Sequence, residues 1–416
     1  MNKINNNLRE LKQSSTLAIN EVSKELELKG KEIYKFGLGQ SPFPIPKIIT
    51  KELKKNVHQK DYINTSGLLR LREVVANYHS IKNKYHYSSE NIIIGPGSKE
   101  LIFQCQLAIS GAILLPSPSW VSYEPQARIL NKKIFWLNSS SENNWHIAPE
   151  TLDEFCYENP DIQKTLILNS PNNPSGTSHQ KLEDFAGIAK KHNVIIISDE
   201  IYAELEFSGN FKSITHYYPE GTIVSSGLSK WCGAGGWRLG TLIFPKELIE
   251  IKKVINSIAS ETFTSVSAPI QFASIKAYTE NHEKYLEQSR KILSVISEHV
   301  YNELTKTGIK IVKPQGGFYM ICDFSNVVFK NNEISGGSSL CNKILSDTGF
   351  AMLPGVNFGF DEELLLSRIA FVDFDGEKAL DNFDKIKNSE QFLKDYCPKI
   401  INGIKSLKNW IDNIKK

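Results

Sequence analysis

No stretch of this sequence approaches the roughly 20 consecutive apolar residues that a membrane-spanning helix needs. Its opening, MNKINNNLRELKQSS, also lacks the apolar core of a secretory signal. Neither a membrane protein nor an exported one is therefore expected. Paired cysteines are missing too: Cys105, Cys156, Cys232, Cys322, Cys341 and Cys397 stand singly, with no C-x-x-C unit and no cysteine–histidine cluster. That spacing argues against a disulfide framework and a zinc site, and it suits a reducing, cytoplasmic setting. An excess of one charge is absent as well. The 49 basic and 46 acidic residues leave a net charge of +3, too little for a nucleic-acid footprint.

What is present is an ordinary globular mixture, 40% hydrophobic and 23% charged over 416 residues, enough for two domains with sizeable cores. Between about residues 90 and 245, short β-branched runs alternate with helical stretches. Strands are expected at 91–94, 112–115, 133–137, 165–168, 194–198, 222–226 and 241–244, with helices at 99–109 and 123–130. Runs apolar on both faces and separated by helices indicate an α/β domain with a mostly parallel sheet. After Pro269, QFASIKAYTENHEKYLEQSRKILSVISEHVYNEL has no internal Pro or Gly and predicts one long helix ending near Gly308. Shorter elements follow (IKIVKP, GGFYMICDF, FAMLP, LLLSRIAF), which read as a smaller α+β domain. The expected division is 46–300 for the large domain, with 1–45 and 301–416 forming the small one. The last stretch places Ile400, Ile404, Leu407, Ile411 and Ile414 on one helical face. A basic amphipathic helix can lie on a membrane, but packing against the small domain is the expectation.

Chemistry concentrates at the carboxyl ends of the expected strands, where open α/β sheets bind ligands. In SSGLSKWCGAGGWRLG, Lys230 precedes a glycine-rich loop and Arg238. Alone this would read as a surface loop. A lysine that forms a Schiff base needs its amine free to deprotonate, glycines let the backbone approach a ligand, and Arg238 can clamp a phosphate with two parallel hydrogen bonds. In ISDEIYAEL, Asp199 would suit a ring nitrogen that must stay protonated. Glu200 reads as a helix N-cap, and Tyr202 falls one turn past Asp199 on the same side. NSPNNPSG brings the Asn172 and Asn173 amides to the same edge, although Asn-Pro is also plain turn chemistry. In GPGSKE, Gly97, Ser98 and Lys99 open a helix whose backbone N–H groups make a phosphate cradle. Trp120, in PSPSWVSY, is placed to stack on a flat ring or simply to pack.

Together these strings resemble fold-type I pyridoxal-5′-phosphate (PLP) enzymes, and among them the class I/II aminotransferases. GLGQSPFPIP, YINTSGLLRLRE, GPGSKEL, PSWVSY, NSPNNPSG, SDEIY, SKWCGAGGWRLG, GGFYM, MLPGVNFG and SRIAF occur in the family's order, from about Ser14 to Lys387. The resemblance implies a seven-stranded, mostly parallel sheet between helices and a smaller α+β domain. It implies that Lys230 carries the cofactor and moves the substrate's α-proton, with Asp199 on the pyridine nitrogen and Tyr202 and Asn173 on the ring oxygen. Trp120 would stack on the ring, and Gly97, Ser98, Lys99, Ser229 and Arg238 would form the phosphate cup. Tyr62 would reach the phosphate of a neighbouring subunit, making the protein a homodimer. Arg368 would grip the substrate α-carboxylate beside Gly39.

The implied reaction is a ping-pong exchange of the amino group between an L-amino acid and a 2-oxo acid, with glutamate/2-oxoglutarate as one couple. Lys99 stands where some relatives hold a distal carboxylate, which points to aspartate or glutamate. Three departures bear on side-chain specificity: GQSPF lacks the two acids of the family's Gly-Glu-Pro-Asp-Phe, Trp231-Cys232 after the lysine is bulky, and Gly227 replaces a serine. Two rival readings use the same fold. A carbon–sulfur β-lyase would release pyruvate and ammonia without a co-substrate. A ligand sensor would need an attached DNA-binding domain, and only about forty residues precede the first of these motifs.

Overall fold

A strand apolar on both faces must be covered on both, and this requirement organises the molecule. The computed structural model describes residues 3–9, 11–328 and 334–415. Positions 1, 2 and 10 of the polar opening, 329–333 and Lys416 lie outside the described residues. Along the chain the strands are β1 (Tyr34–Lys35), β2 (Ile92–Gly95), β3 (Ala112–Ser117), β4 (Ile134–Asn138), β5 (Lys164–Asn169) and β6 (Ile195–Asp199). They continue as β7 (Thr222–Gly227), β8 (Gly240–Ile243), β9 (Tyr319–Asp323), β10 (Phe350–Ala351), β11 (Leu353–Pro354) and β12 (Leu366–Ala370).

Seven of them form one sheet in the order β2-β8-β7-β6-β5-β3-β4. The pairs β3·β4, β3·β5, β5·β6 and β6·β7 are parallel, whereas β8 runs antiparallel to β7 and to β2. Alternate side chains feed two separate cores, as the pleat requires. Ile113, Leu115, Ile167 and Ile197 enter one with Leu101 and Tyr123. Leu114, Leu166, Leu168 and Ile196 enter the other with Phe185 and Ala189. Each such fully buried side chain contributes roughly 1.5–3 kcal/mol. The chain reverses its direction of progress across the sheet between β3 and β5, so a crevice opens outside their carboxyl ends.

A three-stranded antiparallel sheet, β11-β12-β9, and the parallel pair β1·β10 lie elsewhere in the chain. The closing helix Pro398–Lys415 buries Ile400, Ile404, Leu407 and Ile411 in the core that also holds Phe350 from β10, with Ile414 packed against it. Its apolar face is thus used for packing, as expected. No helix among the described residues is long and apolar enough to cross a membrane.

The long helix expected after Pro269 is instead two, Ala268–Thr279 and Glu283–Thr305. Glu280 turns extended at φ −90°, ψ 154°. The side chain of Asn281, one residue before the N-cap His282, then accepts the Glu283 N–H at 2.8 Å, a side-chain turn that lets a new helix begin without Gly or Pro.

Candidate active site

Register delivers the first acid. Asn169 ends β5 opposite Asp199, which ends β6 opposite Ser225 of β7. Asn169 donates its amide to the Asp199 carbonyl (2.8 Å) and accepts the Asn173 N–H (2.7 Å), tying the NSPNNPSG turn to the strand end. Outside these ends lies a cavity of about 460 Å³, lined among others by Gly39, Ser98, Lys99, Trp120, Asn173, Asp199, Tyr202, Ser229, Lys230 and Arg238.

Asp199 is 3% exposed. Burial raises its pKa to about 6, while the Tyr123 hydroxyl (2.6 Å from Oδ2), the Ile201 N–H and the charge of Lys230 hold it down. A buried carboxylate poised in this way favours a cation placed opposite it. The Lys230 amine donates to the Gly39 carbonyl at 3.0 Å, a neutral partner rather than a carboxylate, and stands 5.6 Å from the Tyr202 ring centre. Tyr202 shares a 2.9 Å hydroxyl contact with Tyr319. Burial first, then that neighbour, pushes its phenol well above the ordinary range.

Two glycines shape the opposite end. Gly97 has φ +93°, and a Cβ there would stand 2.3 Å from Nη2 of Arg238. A Cβ on Gly240 would stand 2.4 Å from the Ser98 nitrogen. The start of helix Ser98–Ala108 therefore lies beside a guanidinium that, among the described residues, bonds the carbonyls of Gly235 (3.0 Å) and Pro96 (3.2 Å). Such a pairing suits a phosphate. Lys99 places its ammonium 5.2 Å from the Trp120 ring centre. Desolvation, then the nearby charges of Arg238 and Lys230, lower its pKa.

Arg368, on β12, is 1% exposed. Its guanidinium lies 4.6 Å from the Tyr319 ring centre and 5.0 Å from that of Phe358. It donates to Asn173 Oδ1 (3.1 Å) and to the Gly37 carbonyl, and its buried Nε has no hydrogen-bond partner among the described residues. Arg368 thus stands behind Asn173 rather than on the cavity wall. Tyr62 is not on the wall either; it is 90% exposed.

The sequence reading missed several residues. Tyr123 and Tyr319 lie inside the PSWVSY and GGFYM strings, but nothing local announces that their hydroxyls meet Asp199 and Tyr202. Asn169, Gln40 and Ile201 also line the cavity. The reading of Glu200 as a helix cap is wrong. Glu200 is 4% exposed and accepts the Ser198 and Ser213 hydroxyls, and the short 3-10 turn that follows is capped at Tyr202.

This set fits PLP. It offers an anion cradle at one end, a buried carboxylate for a charged ring nitrogen, an aromatic wall at Trp120, and an amine held by nothing stronger than a carbonyl. The cofactor's phosphate would rest on the backbone N–H groups of Ser98 and Lys99 and on the side chains of Ser229 and Arg238.

Comparison with known proteins agrees. The family model described as aminotransferase class I and II matches residues 31–373. An aspartate aminotransferase of Bacillus sp. (strain YM-2) is 29% identical over 392 residues, covering 91% of this chain and 98% of that one. An asparagine–oxo-acid transaminase of Streptococcus mutans is 29% identical over 383 residues, covering 88% and 95%. The structure of Thermus thermophilus aspartate aminotransferase with maleate superposes with a TM-score of 0.82 at 26% identity, covering 93% of this chain and 100% of that one. With the geometry and the family model in agreement over nearly the whole chain, the protein belongs to the class I and II aminotransferases and is a PLP-dependent transaminase.

Proposed function

We propose that this transaminase takes the amino group of an L-amino acid whose short side chain ends in a carboxylate or carboxamide, and passes it to 2-oxoglutarate by a ping-pong exchange. The observation that carries this reading is Lys99. Its ammonium lies over Trp120 in the cavity wall, adding a cation beyond the guanidinium and helix start that suit a phosphate. The relatives named for aspartate and asparagine point the same way.

Bound PLP supplies an electron sink beside the substrate's Cα. The protein's part is orientation and proton transfer. The Lys230 amine would take the substrate's α-proton as general base and deliver it to the cofactor as the amino group is transferred. Asp199 would favour a protonated ring nitrogen, Tyr202 and Asn173 would hold the ring oxygen, and Trp120 would offer a flat wall to the ring. Gly97 leaves room for Arg238 in the phosphate cup. Arg368 would act from behind Asn173, to whose Oδ1 it donates, and with the Gly39 backbone would orient the α-carboxylate so that the Cα–H bond faces Lys230. Tyr62 completes the cup of a second copy in a homodimer; its full exposure in one chain supports that role. In this reading 46–300 holds the cofactor, while 1–45 and 301–416 carry Arg368 and close on the substrate. Six free, buried cysteines suit a reducing cytoplasm.

The test compares Lys99→Met with the parent enzyme in single-turnover reactions with aspartate, asparagine, glutamate and alanine. Losing one charge-assisted hydrogen bond, about 1.5–3 kcal/mol, should slow aspartate by roughly 10- to 100-fold relative to alanine. Equal slowing of all four amino acids would contradict the assignment.

A further inference from the structure

Glu200 follows Asp199 at the end of β6 but serves a different space. It lines a second, smaller cavity of about 90 Å³ that shares no lining residue with the first. Two adjacent carboxyl groups thus face two chambers from one strand end, and both are almost wholly buried. The Glu200 oxygen Oε1 accepts the Ser198 hydroxyl (3.0 Å) and the Ser213 hydroxyl (2.5 Å). Ser213 is itself fixed by the N–H and hydroxyl of Thr215.

The cations near Glu200 are engaged elsewhere. From helix Leu69–Asn83, Lys82 pairs with Glu204, which also accepts the Tyr78 hydroxyl. From helix Glu283–Thr305, Arg290 bonds Glu283 and the Glu204 carbonyl. His79 is buried and neutral, its pKa lowered to about 3 by burial and by Lys82. Its Nε2 and the Asn83 amide, both lining this chamber, have no partner among the described residues. Tyr278 and Tyr87, the remaining titratable neighbours, have phenols held above the ordinary range by burial. Among the described residues Glu200 is therefore bonded by hydroxyls and by no cation. Burial raises its pKa to about 7; Ser213, Ser198 and Lys82 oppose the rise, and the Asp199 charge adds to it. Glu200 and Asp199 are thus neighbouring buried carboxyl groups at one strand end, and the Asp199 charge is felt at Glu200.

We propose that Glu200 is a positioning residue for transamination: from the far side of the sheet edge its carboxyl group controls how much negative charge Asp199 presents to the cofactor's ring nitrogen. The proposal rests on the role given above to Asp199. With Glu200 ionised, protons on the ring nitrogen and on the nitrogen joining Lys230 to the cofactor are held more tightly. With Glu200 neutral they are released more readily.

The test uses the holoenzyme. Glu200→Gln keeps the side chain's shape and, through its carbonyl, its acceptor for both serines. The visible absorbance of the lysine-bound cofactor is titrated from pH 5.5 to 9.5, and the single-turnover rate and amino-acid affinity are measured at pH 8. A buried charge on the residue next to Asp199 shifts nearby proton affinities by on the order of one pH unit. The midpoint should therefore fall by about 0.5–1 unit in Glu200→Gln, with a rate several-fold lower and amino-acid affinity unchanged. Ser213→Ala, which removes one donor from the carboxylate and raises its proton affinity, should fall between parent and Glu200→Gln. It keeps the test open if the first variant does not fold. Midpoints of both variants coinciding with the parent's would overturn the proposal. Asp199→Asn, run beside them, tests the underlying assignment separately. If it transaminates like the parent, the role of Asp199 is wrong; if it is inactive while Glu200→Gln titrates like the parent, only the role of Glu200 is wrong.

Discussion

Replacing Tyr123 with phenylalanine removes one hydroxyl from a fully buried pair and leaves the aromatic packing against Trp120 in place. That hydroxyl donates to Asp199 Oδ2 at 2.6 Å and is one of the forces opposing the rise of the Asp199 pKa, which stands at about 6. A hydrogen bond to an ionised group contributes about 1.5–3 kcal/mol, and one pKa unit corresponds to about 1.4 kcal/mol. Asp199 in the variant should therefore titrate about one to two units higher, between roughly pH 7 and 8. The sign follows from the charge. Below its midpoint the carboxyl is neutral and no longer favours a protonated ring nitrogen, so cofactor affinity weakens as pH falls through that value. The assay titrates apoenzyme with PLP between pH 5 and 9 and compares the acid limbs of the two affinity curves, so that the cofactor's own ionisations cancel. The variant's limb should lie one to two units above the parent's. Coincident limbs, or a limb displaced to lower pH, would refute the account of how Asp199 is held.

Other outcomes follow from the same geometry. Gly97→Ala forces a Cβ against Arg238 at a φ of +93°. It should weaken PLP binding by roughly 10- to 100-fold through loss of a charge-assisted contact, measured by dialysis and reconstitution. Tyr62→Phe, at an exposed position, should change subunit stability by less than about 0.5 kcal/mol while weakening cofactor retention in the dimer. His179 is buried with its pKa lowered to about 4 by burial. The unfolded chain takes up that proton near pH 6.5 and the folded one only near 4. Stability from this residue is therefore present above about pH 6.5 and is lost as pH falls towards 4, by about 3 kcal/mol in total. Urea unfolding at stepped pH should show this slope, and His179→Asn should make it shallower, the buried His79 and His146 supplying the rest.

The sheet was legible because its strands are unbroken β-branched runs: the 165–168, 194–198 and 222–226 runs appear as β5, β6 and β7 with ends moved by one residue or so. Helix continuity was not legible at Asn281, where a polar side chain turns the chain into a new helix and no Gly or Pro marks the break. Glu200 was misread because a carboxylate just past a strand usually faces water or a helix start, whereas here Ser198 and, thirteen residues on, Ser213 hold it inward. Lys230, Asp199, Tyr202 and Arg238 stood in strings that carry the family resemblance, and the fold gathers them around one cavity. Tyr123 and Tyr319 act over separations of 76 and 117 residues. Arg368 reaches Asn173 and Gly37 across 195 and 331. Contacts of that range depend on how elements distant in the chain pack together, which no local pattern encodes.

The central claim, transamination through Lys230, is tested most directly by scanning the holoenzyme's absorbance as single amino acids are added without any oxo acid. The visible band of the lysine-bound cofactor should give way to that of pyridoxamine phosphate, 2-oxoglutarate should restore it, and Lys230→Ala should show neither change. Pyruvate and ammonia accumulating while the visible band persists would contradict the account, as would an unchanged spectral cycle in Lys230→Ala.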